Sequence, residues 1–345
     1  MVTKQNPAKR TRNITRENTG DTFEYRLGAR RITGRASVER IEALAIPPAW
    51  TDVEISRSAT AKVQAKGVDA AGRTQAIYHP SFVKRQDQRK FARMVRFGRA
   101  LPKLRARVDR DLRSRSLGRD RVAGCVIHLI DEQLFRVGNA EYASRHGSFG
   151  ITTLQRKHLD VSPTIVEFNF VGKSGKEQKR RVRDPRAARV IAQLLELPGD
   201  EVFRFVEAGQ SADEDADPNP HPLHSRHVNA YVRRHLGREF SAKDFRTWGG
   251  TVAVVGAIFA VDPAELRTAL TTEHGRASVL RDAVRIAAER LGNTEAVTKG
   301  SYVDPRVLDL VSHPRVIERV RRKRFRERLH FSIDEQRTLA VCSRR

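Results

Sequence analysis

Apolar residues alternate with polar ones over short runs near the N-terminus and recur every three or four positions over longer runs beyond it. Short strands are predicted around Val53–Ser56, Ala61–Ala65 and Gln75–Tyr78, with Pro47 and Pro48 interrupting the pattern beforehand. The stretch "AKGVDAAGRT" supplies the Gly and Asp needed to turn between them. Farther on, Phe91, Met94, Val95, Phe97 and Leu101 have the spacing of one helix face. Val126, Leu129, Ile130 and Leu134 do the same within "AGCVIHLIDEQLFRVGNAEYASRHG".

"TIVEFNFVGKSGKEQKRRV" places β-favouring residues before "GKSG" and alternating basic residues after it, which predicts a hairpin with Lys173 at its turn. Pro185 opens a helix over "PRAARVIAQLLEL". The acidic, Pro-bearing "EAGQSADEDADPNPHPL" reads as a loop. Helical character resumes in "SRHVNAYVRRHLG" and in "VLRDAVRIAAERLG", where Leu280, Val284, Ala287 or Ala288, and Leu291 share a face. The polar "LGNTEAVTKGSYVDP" closes that helix, Pro305 limits its continuation, and "ERVRRKRFRERL" predicts a basic terminal helix. The pattern is that of an α+β protein: a flexible basic arm over 1–20, a small β-rich unit over 21–90, and a mainly helical unit over 91–345 with a hairpin near 164–183. No repeat or sustained leucine heptad stands out.

At 345 residues and 39% hydrophobic, the chain can bury real cores in two or three domains. Its formal net charge of +25 is spread along nearly the whole length, and residues 84–121 alone carry fifteen Lys or Arg against four Asp. An extended polyanion, nucleic acid above all, explains that balance more readily than a small acidic substrate. Ribosomal and chromatin-packing proteins share such a charge, so charge alone does not imply catalysis. No apolar run approaches a spanning helix, and "MVTKQNPAKRTRNITREN" has no apolar core of a secretory signal. Cys125 and Cys342 make neither a disulfide framework nor a thiolate metal cluster. A cytoplasmic, nucleoid-associated protein is expected.

The GKS of the hairpin is not a phosphate-binding loop of the GxxxxGK kind, because Glu167 stands where the first Gly is needed and no suitable helix follows. His224, His227 and His235 lack a carboxylate pattern that compels a metal. Tyr302, in a chain with five tyrosines, stands in a polar segment where packing does not call for one.

Four segments in order, "LFRVGNAEY", "FVGKSG", "KDFRTW" and "LGNTEAVTKGSYVDP", closely resemble the bacterial and poxvirus-type DNA topoisomerase IB family. The resemblance runs from "IPPAW" near residue 46 to the tyrosine segment ending near residue 307. It implies a small N-terminal clamp domain that closes on double-stranded DNA, ahead of a larger catalytic domain related to tyrosine recombinases. It also implies monomeric action without ATP, metal or other cofactor. By match to the family segments, Arg136 and Arg246 are the catalytic arginines, Lys173 the hairpin lysine and Tyr302 the nucleophile. Asn293 falls nine residues before Tyr302, where poxvirus-type members commonly use histidine. The resemblance adds Gln64, Lys66, Arg73, Gln75, Tyr78 and His79 as candidate DNA contacts in the small domain, and Lys243 in the large one. Ala76 replaces the first tyrosine of the family's GRxQYxYHP.

These residue types suit transfer at a phosphodiester. A tyrosine can attack phosphorus and keep the broken linkage as an ester. Guanidinium forks can hold nonbridging oxygens bidentately and stabilise the charge that develops there. A lysine ammonium can protonate the departing 5' oxygen, and an asparagine amide can donate to a further oxygen. Two other readings share parts of this set. A tyrosine recombinase uses the same covalent strategy, although it commonly places histidine where "KDFRTW" has Lys243. A DNA architectural protein could keep the fold and basic surface without the chemistry.

Overall fold

The alternating runs near the N-terminus become one antiparallel sheet. In the computed structural model, which describes residues 13–20, 22–207 and 219–343 without the side chain of Tyr142, that sheet has six strands in the order β3-β2-β1-β4-β5-β6. They are β1 (Ile14–Asn18), β2 (Phe23–Leu27), β3 (Arg30–Arg31), β4 (Thr51–Ile55), β5 (Val63–Val68) and β6 (Thr74–Tyr78), with helix α1 (Arg35–Glu42) after β3. The inward positions Ile14, Val53, Ile55 and Ala65 form a core with Ile41 of α1. Residues 14–18, expected within a basic arm, are therefore a strand: Ile14 pairs with Ile55 and is buried, which ties that part of the chain down. The rest of the arm, residues 1–12, lies outside the described residues. β5 runs three residues beyond the expected Ala65, and the turn into β6 is made by Asp69, whose Oδ1 accepts from Ala71 N and Arg73 N at 3.0 Å each.

The chain divides into two units that meet in sequence at Phe91 and Ala92, within the 33-residue helix α2 (Pro80–Leu112). In the second unit Met94, Phe97, Leu101, Leu104, Val108 and Leu112 of α2 are buried at the three-and-four spacing. α3 (Arg119–Gln133) is buried on nearly every side from Arg121 to Ile130. It ends at Leu134, which takes left-handed dihedrals (φ 54°, ψ 33°) that cost a non-glycine residue roughly 1–2 kcal/mol. α4 (Ala140–His146) follows after a break capped by Asn139, so the expected single helical region is two helices. β7 (Leu159–Val161), β8 (Ile165–Val171) and β9 (Glu177–Arg183) form a three-stranded sheet whose β8–β9 pair is the expected hairpin. Asp184 then caps α5 (Pro185–Glu196), with Pro185 in its first turn.

β10 (Arg204–Phe205) and β11 (His221–Pro222) pair across a segment whose residues 208–218 lie outside the described ones. α6 (Ser225–Leu236) leads to α7 (Ala242–Ala260), which is buried from Ala242 to Phe259 at most positions and packs against α3, α6, α9 and α13. α8 (Pro263–Ala269), α9 (Glu273–Leu291), α10 (Glu295–Ser301), α11 (Pro305–Leu308), α12 (Pro314–Arg321) and α13 (Ile333–Cys342) complete the unit. Among the described residues no single helix is long and apolar enough to cross a membrane; α7 and α8 together pass on length and composition, as a pair bent by 102°.

The basic terminal helix stops at Arg321 instead of running to Leu329. Beyond it, Arg322, Lys323, Arg324, Arg326 and Arg328 leave no apolar stripe to bury, and like charges at helical spacing repel. The chain turns there, leaving Leu329 84% exposed, and α13 returns to pack on α7.

Candidate active site

α9 ends by hydrogen-bond rules that its sequence supplies. Gly292 takes left-handed dihedrals (φ 61°, ψ 39°), its N–H reaches Glu289 O at 3.1 Å, and the Asn293 N–H reaches Ala288 O at 3.0 Å. This is a Schellman end, and it presents Asn293 as the first residue past the helix. Glycine is favoured there by conformation, and a Cβ at Gly292 would fall 2.6 Å from Gln178 Oε1, so the Gln178 amide would have to shift to admit one.

The next residues form the short helix α10 within the segment expected to be a polar closure, with Thr294 accepting from Val297 N at 3.3 Å. Tyr302 closes that helix, its N–H bonded to Thr298 O at 2.9 Å. Thr251 of α7 then holds the backbone past Val303: its hydroxyl donates to Thr247 O at 2.8 Å, lies 3.2 Å from Tyr302 O and accepts from Asp304 N at 3.2 Å. Gly250 of α7 allows the close approach, since a Cβ there would lie 3.2 Å from Tyr302 O and 3.3 Å from Tyr302 Cβ.

The first turn of α7 is locked by Asp244, which is 1% exposed. It accepts from Ser241 N at 2.8 Å, from Ser241 Oγ at 3.1 Å and from Arg93 Nη2 at 2.7 Å. Arg246, one half-turn on, is buried. Its Nη1 donates to Leu134 O and its Nη2 to Leu291 O at 2.9 Å, joining the ends of α3 and α9. Its guanidinium carbon lies 5.1 Å from the Tyr302 ring centroid. Burial first, then Arg136 nearby, pushes Arg246 down to about 10 against the opposing pull of Tyr302.

Leu134 turns the chain so that Phe135 packs its ring 5.1 Å from that of Phe168 and 5.8 Å from that of Phe170 in the hairpin. Arg136 follows, its backbone oxygen held by Ile151 N at 2.9 Å, and its Nη2 donates to Asn293 Oδ1. That contact fixes the orientation of the Asn293 amide, and Asn293 Nδ2 is left buried without a partner among the described residues. Arg246 Nε is left in the same condition. Unmet buried donors are costly; the Nε of Arg121 and of Arg204 are in the same condition elsewhere in the unit, so Asn293 Nδ2 and Arg246 Nε are available to an oxygen without by themselves marking the site.

Lys173 is exposed and begins a tight 3-10 turn whose next residues, Ser174 and Gly175, both have positive φ. Arg136, Lys173, Gln178, Arg180, Arg246 and Leu291 line one small cleft. Asn293 reaches it through Arg136, and Tyr302 through Arg246. The Tyr302 phenol is drawn below its ordinary value: burial, the largest influence, raises it, but Arg246, Arg136 and Lys243 together outweigh that. Gln178 and Arg180 were not singled out in the sequence. The signal for them is the strand alternation of "EQKRRVR", which puts both on the face occupied by Phe170 and Phe168 of the paired strand.

In the N-terminal unit, Gln64 is buried and its amide is spent on the fold. It donates to Ala61 O at 2.6 Å and Ser58 O at 3.2 Å and accepts from Arg40 at 3.1 Å, which braces the β4–β5 connection. Lys66 is exposed and pairs with Glu54 at 3.2 Å. Arg73 and Gln75 both donate to Asp69 Oδ2, at 2.7 and 2.9 Å. Tyr78 is 43% exposed with its ring 5.3 Å from Phe82, and His79 Nδ1 accepts from Ser81 N at 3.1 Å at the start of α2. Lys243 is exposed on α7.

Among the described residues His128, Glu132 and Asp184 could group round a metal ion. Asp184 is already engaged by Arg186 Nη2 at 2.7 Å and by His128 Nε2 at 2.8 Å, besides capping α5, which describes an ion-paired cluster.

Residues 79–323 match the family model described as the catalytic core of eukaryotic DNA topoisomerase I, and residues 22–69 match the N-terminal domain of bacterial DNA topoisomerase IB. The chain is 32% identical over 302 residues to the DNA topoisomerase 1B of Acanthamoeba polyphaga mimivirus, covering 86% of this chain and 87% of that one. It is 22% identical over 305 residues to the DNA topoisomerase 1B of vaccinia virus (strain Copenhagen), covering 86% and 88% respectively. Similarity to DNA topoisomerase 1 of Mycosarcoma maydis is 24% over 188 residues, 52% of this chain and 18% of that one.

Proposed function

The chain belongs to the type IB DNA topoisomerases, and from that premise we propose that it relaxes positive and negative supercoils by transient cleavage of one strand through a 3'-phosphotyrosyl intermediate. The observation that carries the reading is the cleft itself. Arg136 and Arg246 are held by neutral oxygens, beside a tyrosine whose ionisation they favour and two buried N–H groups without partners.

In the reaction, the Tyr302 phenol oxygen bonds to phosphorus as the bond from phosphorus to the 5' oxygen breaks. The phenolic proton leaves to solvent, and the Lys173 ammonium gives a proton to the departing 5' oxygen. Arg136, Arg246 and Asn293 Nδ2 donate to nonbridging oxygens, where charge grows as the phosphorus becomes five-coordinate. Because the phosphotyrosine preserves the linkage, rotation of the free end under existing torsion can be followed by attack of the 5' hydroxyl in reverse. Neither ATP nor a metal is called for: the bond is conserved, and the guanidinium groups carry the charge stabilisation. Asn293 performs with a neutral amide what a histidine would do in either charge state, so its donation does not titrate.

Gln64, Lys66, Arg73, Gln75, Tyr78 and His79 in the N-terminal unit, and Lys243 beside the cleft, are proposed to contact duplex DNA. The protein is proposed to act as a monomer in the bacterial cytoplasm, on the nucleoid. The test is relaxation of supercoiled plasmid in EDTA without ATP, with the covalent adduct trapped by denaturation. The parent should relax both signs of supercoil, and Tyr302→Phe should neither relax nor form the adduct. Activity retained in Tyr302→Phe would overturn the nucleophile assignment, and an inactive folded parent would overturn the function.

A further inference from the structure

We propose that Gln178 and Arg180 are positioning residues that latch the Lys173 hairpin onto the C-terminal turn of α9, setting the proton donor in register with Asn293 and Tyr302. The proposal rests on reading Lys173 as the general acid. Lys173 is exposed and makes no hydrogen bond or ion pair among the described residues. Its location is therefore set by where the hairpin docks.

The hairpin docks on two sides with two chemistries. Register places Val166 opposite Val182, Phe168 opposite Arg180 and Phe170 opposite Gln178, and directly opposed residues share a face. On β8 that face is apolar and buried, and its rings pack against Phe135, next to Arg136. On β9 the same inward face carries Gln178 and Arg180, where an apolar pair would be the ordinary choice. Gln178 is 8% exposed, and its amide packs against Gly292, its Oε1 2.6 Å from where a Cβ there would stand. Arg180 Nη2 donates to Glu289 O at 3.3 Å and to Gln178 Oε1 at 3.4 Å. Glu289 O is one of the last carbonyls of α9, at the negative end of the helix dipole, and it also receives the Gly292 N–H of the Schellman turn. The strand leaving the lysine turn is thus fastened to the same turn that presents Asn293. Arg180 has no carboxylate partner among the described residues, and burial lowers its pKa. A cation placed at that cost beside Arg246 is explained by the alignment it enforces.

The experiment is single-turnover cleavage of a duplex with an ordinary 5' oxygen at the scissile bond, against the same duplex with a sulfur-bridged leaving group, which departs without protonation. Lys173→Ala calibrates loss of the acid. Arg180→Met, which keeps the unbranched stem, should slow the ordinary substrate by about 10²-fold, as a small misplacement of a reacting group does, and recover most of that loss on sulfur. Gln178→Ala should show the same selective rescue with a smaller loss, and Arg180→Lys should fall between Arg180→Met and the parent. Thermal unfolding of each variant sets the folded concentration. Equal losses on both substrates, or parent rates on both, would overturn the latch while leaving the topoisomerase reading in place. A folded parent that cleaves neither substrate would overturn that reading and the latch with it.

Discussion

Arginines are buried in opposite ways on two sides of the helical unit. Between α2, α3 and α13, Arg105 gives its Nε to Asp131 at 2.6 Å and its Nη1 to Glu335 at 2.8 Å, and Glu335 takes Trp248 Nε1 at 3.0 Å as well. The charge is cancelled where it sits. At the cleft, Arg136 donates to the Asn293 amide oxygen, Arg246 to the carbonyls of Leu134 and Leu291, and Arg180 to that of Glu289. None of these three has a salt bridge among the described residues. A carbonyl fixes the plane of a guanidinium without neutralising it, so the cleft holds positive charge that burial penalises until an anion arrives. Arg121 and Arg204 are likewise held by carbonyls without a carboxylate partner among the described residues, so what marks the site is that three such guanidiniums line one cleft; a count of arginines in a chain of net charge +25 would not find it.

The largest expected effect tests that contrast directly. Arg246→Met should lower the cleavage rate by about 10²–10³-fold, the cost of losing one well-placed donor to developing charge. The loss should persist in samples confirmed as folded. Arg105→Met should do the reverse. Stranding Asp131 and Glu335 without their cation should cost about 3–5 kcal/mol of stability by denaturant unfolding, while cleavage per folded molecule stays at the parent level. If Arg246→Met is merely unstable and Arg105→Met merely inactive, the two modes of burial have been assigned the wrong way round.

The same contrast explains what could be read in the sequence. The hairpin, α5 and α9 were legible because each buries one face, so that alternation or three-and-four spacing survives in the residues. α7 was not. It is buried on most sides, its run "TWGGTVAVVGAIFA" has no polar face to set a period, and its glycines read as breaks, although Gly250 is what lets the helix approach Tyr302. β1 escaped because Arg16 and Glu17 make residues 14–18 read as part of the polar arm, and β2 and β3, inside the expected β-rich unit, were hidden by Glu24, Arg26, Arg30 and Arg31. The buried alternate position is Ile14 alone in β1. Arg136, Lys173, Arg246, Asn293 and Tyr302 were found by their motif segments. Gln178 and Arg180 were hidden among Lys179, Arg181 and Arg183, which point outward and make the strand look uniformly solvated. Only the pairing partner of each residue separates the two faces.

The smallest effect concerns Lys243, which lies on the exposed side of the contrast. It sits three positions before Arg246 on α7 and, with Arg246 and Arg136, favours the ionised form of Tyr302. The ordinary tyrosine value is about 10. Cations nearby stabilise the phenolate, so Tyr302 should titrate below that value in the DNA-free protein, and removing a cation should move it up. The measurement is the difference in phenolate absorbance between parent and Tyr302→Phe across the alkaline range, repeated with Lys243→Ala in both backgrounds. Lys243→Ala should raise the transition by less than one unit, because the side chain is exposed and water screens it, a change of under about tenfold in phenolate at fixed neutral pH. Cleavage near neutral pH should fall by no more than that factor, and the deficit should close as pH rises through the Tyr302 transition. An unchanged titration with weaker DNA binding would place Lys243 on the DNA backbone alone, leaving Arg246 and Arg136 to account for the lowered phenol.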